Sequence, residues 1–194
     1  MNEIKGNIEI YTEYTPNPES LKFVLNRMLL PGNSADFRTK DEAGNSPLAL
    51  LLFEAAYVQG VFITNNFVTI TKAQSVSWPE VIPEIKETIK GFLKEGGEVL
   101  STSVAEVKSP TKSSENPEGI EGRIKELLDS YVRPAVEQDG GAIQFKSFDD
   151  GRLTVILQGS CSGCPSATVT LKQGIEGLLN RMIPEVKEVV AEEI

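Results

Sequence analysis

Cys161 and Cys164 are the only two cysteines among 194 residues, and they stand at C-x-x-C spacing in Gly159-Ser160-Cys161-Ser162-Gly163-Cys164-Pro165-Ser166. Two thiols so placed can shuttle a disulfide, supply half of a tetrathiolate metal site, or simply pack. Packing explains them poorly. Buried structural cysteines usually stand singly inside an element, whereas these flank Ser162-Gly163 in a loop of small residues. A redox role is favoured by a helix start next to the pair, because the free N–H groups and partial positive charge of a helix N-terminus stabilise thiolate. Against it, no aromatic precedes the first cysteine, and Pro165 follows the second instead of lying between the two.

The metal reading turns on a count. Iron–sulfur and zinc tetrathiolate sites take four cysteine ligands. One chain offers two, and the sequence contains no His to make up the difference. A complete site therefore needs Cys161 and Cys164 from each of two chains, or an outside thiol such as glutathione. A site split between subunits opens easily, which suits a carrier better than a permanent catalytic cluster. Gly159 and Gly163 let the backbone turn tightly around the ligands. The absence of His also removes the commonest general base and the usual Ser-His or Cys-His triads, so an enzyme is not expected. From spacing alone, cluster or metal binding, thiol–disulfide exchange and a structural zinc dimer all stay open.

The elements that must position this loop follow from periodicity. Leu153 to Leu157 reads as a strand entering it, and Ser166 to Met182 as a helix leaving it, with Val169, Leu171, Ile175, Leu178, Leu179 and Met182 on the buried side. Upstream, Ile120, Ile124, Leu127, Leu128, Tyr131, Val132 and Val136 recur at helical spacing, with Pro134 expected to kink or fray the last turn. Asp139-Gly140-Gly141 reads as a helix-to-strand turn that could lie near a cluster. Ala142 to Phe148 is a strand, Asp149-Asp150-Gly151 a hairpin turn, and Lys187 to Ala191 a last strand. A helix between the second and third strands predicts that those two run parallel.

The first hundred residues form a separate pattern. Ile8 to Tyr14 and Leu21 to Leu25 read as paired strands around the rigid turn Thr15 to Ser20, and Pro31 to Asn45 as a polar loop. Ser46-Pro47 starts a buried helix through the apolar run Leu48 to Tyr57. Val61 to Thr64 and Phe67 to Thr71 flank an Asn65-Asn66 hairpin. Ser77-Trp78-Pro79-Glu80 is a capping box for a helix running to Lys94, and Trp78 is read as packing in the core. Residues 101–117, rich in Ser, Thr, Lys and Pro, read as a linker. The fold class expected is α+β: two small α/β-sandwich domains, ββαββα over residues 1–100 and αββαβ over 118–194.

A formal charge of -9 argues against nucleic acid as a partner. No apolar run approaches a bilayer span, no basic run marks a membrane surface, and the charged start Met1 to Lys5 shows no signal peptide. A cytoplasmic location is therefore expected, where thiols stay reduced and a structural disulfide is not expected.

Tyr131-Val132-Arg133-Pro134, Asp139-Gly140-Gly141, Leu157 through Ser166 and Thr170-Leu171-Lys172-Gln173-Gly174-Ile175-Glu176 resemble the C-terminal domain of NifU-like (Nfu-type) iron–sulfur cluster scaffold proteins. Thr15 to Phe23 and Gly60 to Ile63 resemble the N-terminal domain found in many Nfu proteins. The resemblance implies a carrier that receives a 4Fe–4S cluster from an upstream donor, holds it between two subunits through Cys161 and Cys164 of each, and passes it to apo-proteins. A 2Fe–2S cluster stays open. The N-terminal domain would serve partner contact or stability. Full-length NifU proteins carry further cysteine-rich domains that do not show in this sequence, so carriage rather than de novo assembly is expected.

Overall fold

The alternating run at the N-terminus pairs with its neighbour as its pattern demands. In the computed structural model, which describes residues 7–101, 119–160 and 165–193, β1 (Ile10–Tyr14) lies antiparallel to β2 (Ser20–Leu25), with Ile10 opposite Leu25 and Tyr14 opposite Leu21. β2 then pairs not with the next strand in sequence but with β5 (Phe67–Lys72), which pairs in turn with β4 (Val58–Asn65). The Asn65-Asn66 loop closes the β4–β5 hairpin, with Asn65 at φ 34°. Asn tolerates that region where most residues do not.

One expectation fails here. Pro31 to Asn45 is not a single polar loop: Leu30–Phe37 forms β3, paired antiparallel with β4 at the edge of the sheet. Ala35 and Phe37, two apart, are buried. The ladder offered by β4 outweighs a weak local strand signal, while an irregularity between Leu30 and Ser34 absorbs Pro31 and Gly32. Proline is tolerated at a sheet edge, where its missing N–H need not break a central ladder. The N-terminal unit is therefore βββαββα, with strand order β1-β2-β5-β4-β3.

The helices start where their caps predict. Ser46 Oγ accepts from Ala49 N at 3.2 Å and donates to the Val99 carbonyl at 2.7 Å, opening α1 (Pro47–Leu52). This helix is shorter than the apolar run through Tyr57. Leu48, Ala49 and Leu52 are buried beneath it. α2 (Trp78–Lys94) begins at the Ser77/Glu80 capping box and buries Trp78, Val81, Ile85, Ile89 and Leu93, three and four apart. Trp78 stands edge-on to Phe23, ring centroids 6.4 Å apart, and its Nε1 donates to the Pro18 carbonyl at 3.0 Å. It is a core residue, as read from the sequence.

Tyr57 follows α1 with its phenol pushed up to about 12, first by burial and then by the charge of Glu84, which forms no well-aligned hydrogen bond with it. A phenol that ionises less readily folded than unfolded stabilises the folded state in full below pH ~10, and that contribution is lost as pH rises toward about 12. The urea midpoint of Tyr57→Phe should therefore gain on that of wild type between pH 10 and pH 12. A constant difference across that window would refute the assignment.

The C-terminal unit has its own core. α3 (Ile120–Leu127) widens into a π-helical turn at Leu128–Val132 before α4 (Arg133–Gln138). Ile124, Leu128, Val132 and Val136, four apart, are all buried. The expected disturbance from Pro134 falls ahead of the proline rather than in the last turn. The ring cannot sit against the carbonyl four residues back in a regular helix, and the wider turn accommodates it. β6 (Gly141–Asp149) and β7 (Arg152–Gly159) form an antiparallel hairpin. α5 (Pro165–Met182) leads to β8 (Glu188–Glu193), which pairs parallel with β7. The order is β6-β7-β8. The expected linker, apart from Ser101, lies outside the described residues. Among the described residues, no helix is long and apolar enough to cross a membrane.

Candidate functional site

The site is reached along β7. Leu153, Val155 and Leu157 point into the core, all fully buried, and fix the strand in rotation. Its last residue, Gly159, takes φ 73° and lies opposite Gly141 on β6. Ser160, 3% exposed, follows. Its N–H donates to the Gly140 carbonyl at 3.3 Å, and its Oγ donates to the carbonyl of Asp139. Cys161 and Cys164, the expected ligands, lie outside the described residues, as do Ser162 and Gly163 between them. What the structure describes is the frame on either side: Ser160 before the loop and the first residue of α5, Pro165, immediately after Cys164.

α5 is anchored well away from the loop. Ile175 and Leu179 are buried in the core. The Glu176 carboxylate accepts from Val189 N at 3.2 Å and ties the helix to β8. Proline suits a first helical position because its absent N–H would have no partner there. A helix N-terminus in general carries free N–H groups and partial positive charge, and that of α5 follows Cys164 directly in the chain. A thiol next to such an end is favoured as thiolate, the form that either ligates metal or attacks as a nucleophile. Gln173 on α5 is exposed and Lys172 is partly buried. Among the described residues, no three Cys, Asp or Glu side chains converge on a possible metal position.

The Asp139-Gly140-Gly141 segment is the helix-to-strand turn that the sequence suggested. It is the turn between α4 and β6, closed by Asp139 N to Ala135 O at 3.1 Å and Gly140 N to Glu137 O at 3.1 Å. It also touches the residue just before the first thiol. Sequence reasoning missed Ser160, because its partners lie some twenty residues away and depend on register. The hairpin turn pairs Asp149 with Arg152, a register that would run on to set Gly141 against Ser160. An extra residue at Lys146 shifts the ladder by one and brings Gly141 opposite Gly159 instead. Gly159 is a second sensitive point. Gly159→Ala should cost the C-terminal unit roughly 1–2 kcal/mol, the penalty for a side chain in the left-handed region. Urea unfolding followed by circular dichroism measures it, and no change would contradict the positive φ.

The comparisons with known proteins bear on both units. Residues 10–96 match the family described as scaffold protein Nfu/NifU N terminal, and residues 124–190 match the NifU-like domain. A human protein named NFU1 iron-sulfur cluster scaffold homolog, mitochondrial, is 41% identical over 181 residues, covering 93% of this chain and 70% of that protein. A Drosophila willistoni protein of the same name is 42% identical over 186 residues, 95% of this chain and 64% of its own length. The chain thus spans a little under two thirds of that relative. A solution NMR structure of a NifU-like protein from Saccharomyces cerevisiae is 29% identical with a TM-score of 0.45, covering 53% of this chain and 99% of that one. The chain belongs to the Nfu family of NifU-like scaffold proteins. The relatives' names correct one expectation: they are called mitochondrial, not cytoplasmic. The expectation drew on the lack of an apolar h-region and of a bilayer-length run, neither of which tells one compartment with reduced thiols from another.

Proposed function

We propose that this chain is an iron–sulfur cluster carrier that holds a 4Fe–4S cluster between two copies of itself, through Cys161 and Cys164 of each, and passes it to apo-proteins. The observation that carries the reading is the placement of the chain's only two cysteines between the end of β7 and the N-terminus of α5. Membership of a family whose relatives are named as iron-sulfur cluster scaffold homologs supports it. The cluster is cargo. Four thiolates give it a net negative charge, which the positive end of α5 from each chain offsets. Because each chain contributes half the ligands, separating the copies, or replacing one copy's thiols by those of a recipient, exposes the cargo without unfolding either unit. No catalytic turnover is involved. An upstream donor supplies the cluster, and apo iron–sulfur proteins receive it.

Anaerobic loading with iron and sulfide tests this. The expected result is a brown protein with about two iron atoms per chain, eluting as a dimer, as one four-iron cluster per pair of chains requires. A folded, colourless monomer would overturn it. A 2Fe–2S cargo would give about one iron per chain, and Mössbauer spectra distinguish the two.

A second reading, thiol–disulfide exchange by the same pair, draws on the helix start beside Cys164. An insulin-reduction assay separates the two: turnover without iron uptake favours exchange, and uptake without turnover favours carriage. Metal analysis of protein purified without oxygen tells iron from a structural zinc.

A further inference from the structure

We infer that Ser160 is a positioning residue for the thiol loop: its buried hydroxyl and its backbone N–H both donate to the Asp139–Gly140 turn, and so hold the residue before Cys161 against the end of α4. This rests on the carrier reading above, because its consequence is for the held cluster.

Three observations converge on Ser160. It is 3% exposed, at the end of a strand where a surface residue would be unremarked. It makes two bonds to consecutive carbonyls, Oγ to Asp139 O and N to Gly140 O at 3.3 Å. The acceptors are held in turn by the last turn of α4, through Ala135 and Glu137. Gly140 at φ 80° is what turns the two carbonyls toward β7, a conformation that side chains resist. A buried hydroxyl must find a partner or suffer desolvation. The Asp139 carbonyl is that partner, and the bond fastens the backbone at this position. The four residues that follow, 161–164, run between this anchor and the start of α5. Cys161 is the very next residue, so play at the anchor passes directly to the first thiol. Releasing one end lets the first thiol leave its ligand position more often, and cargo escapes faster.

The test compares Ser160→Ala with Ile183→Val in the full chain. Ile183 is fully buried just beyond α5, at the helix end remote from the loop, and its truncation lowers stability without touching the anchor. Both variants are loaded anaerobically, and cluster loss to excess ferrous chelator is followed by visible absorption. Ser160→Ala should load to the wild-type iron content and then lose cluster about fivefold faster, the size of one lost hydrogen bond. Ile183→Val should lose it at the wild-type rate. Equal acceleration in both variants, or none in Ser160→Ala, would overturn the inference, because Ser160 would then act through stability or not at all.

Failure of the carrier reading is separable, because the wild type itself would then take up no iron. In that event the apo-protein decides. Alkylation by iodoacetamide, read by mass spectrometry, should change its Cys161-to-Cys164 ratio in Ser160→Ala and not in Ile183→Val. An unchanged ratio removes the positioning role. Gly140→Ala approaches the same contact from the other partner. Combined with Ser160→Ala, it should add less than the sum of the two single effects, and full additivity counts against a shared contact.

Discussion

Cys161→Ser and Cys164→Ser should each abolish cluster uptake while leaving both units folded. Four thiolates are needed to hold a 4Fe–4S cluster, and a pair of chains supplies four in total. Each single replacement therefore removes two ligands from the pair, not one. A serine hydroxyl has nearly the size of a thiol, but it does not ionise near neutrality and is a poor ligand for iron. The cores of the two units are built from strand and helix side chains such as Phe23, Ile70, Ile124, Leu157 and Leu179. The circular dichroism spectrum and urea midpoint of the apo-protein should accordingly stay at wild-type values. Iron per chain after anaerobic loading should fall from about two to background. A mixed dimer of one wild-type and one Cys161→Ser chain, isolated with two different tags, sharpens the test. It retains three thiolates and should load weakly or not at all. Full loading of either single variant would mean that the thiols are not the ligands.

The second large effect separates the two cores. Phe23→Ala should cost the N-terminal unit about 3–5 kcal/mol, and Leu157→Ala should cost the C-terminal unit about 2–5 kcal/mol, the usual range for truncating fully buried side chains. Either is a large share of a stability that is typically about 5–15 kcal/mol. Trp78 is the only tryptophan and packs beside Phe23 in the N-terminal core, so its fluorescence reports that unit alone. Cluster absorption reports the other. In urea, Phe23→Ala should shift the fluorescence transition and leave cluster retention near wild type. Leu157→Ala should do the reverse, since it loosens the strand that leads into the thiol loop. If both variants move both signals together, the two cores unfold as one cooperative unit.

Much of the frame around the thiols was legible because its signals are local. A C-x-x-C pair after a short β-branched apolar run and before an i, i+4 apolar pattern places the loop between a strand and a helix, whatever the rest of the chain does. Ser46-Pro47 and Ser77 with Glu80 act on the N–H groups of their own helix, and both helices start there. Asp149-Asp150-Gly151 turns the β6–β7 hairpin, with Asp150 and Gly151 at positive φ. The length of α1 was less legible. The apolar run past Leu52 carries no stop signal of its own, and the chain leaves the helix to enter β4.

The amino-acid order alone thus determined the family motif, the pairing of two thiols in one short segment, the caps and the tight turns. Each of these is decided by residues within a few positions of one another. Only the tertiary structure decided that Leu30–Phe37 is a strand, that β2 pairs with β5, and that an extra residue at Lys146 sets Gly141 against Gly159. The same register delivers the Ser160 hydroxyl to the Asp139 carbonyl. These outcomes depend on ladders between segments some fifteen to fifty residues apart. Their energy comes from backbone partners and buried faces that no local stretch of sequence contains.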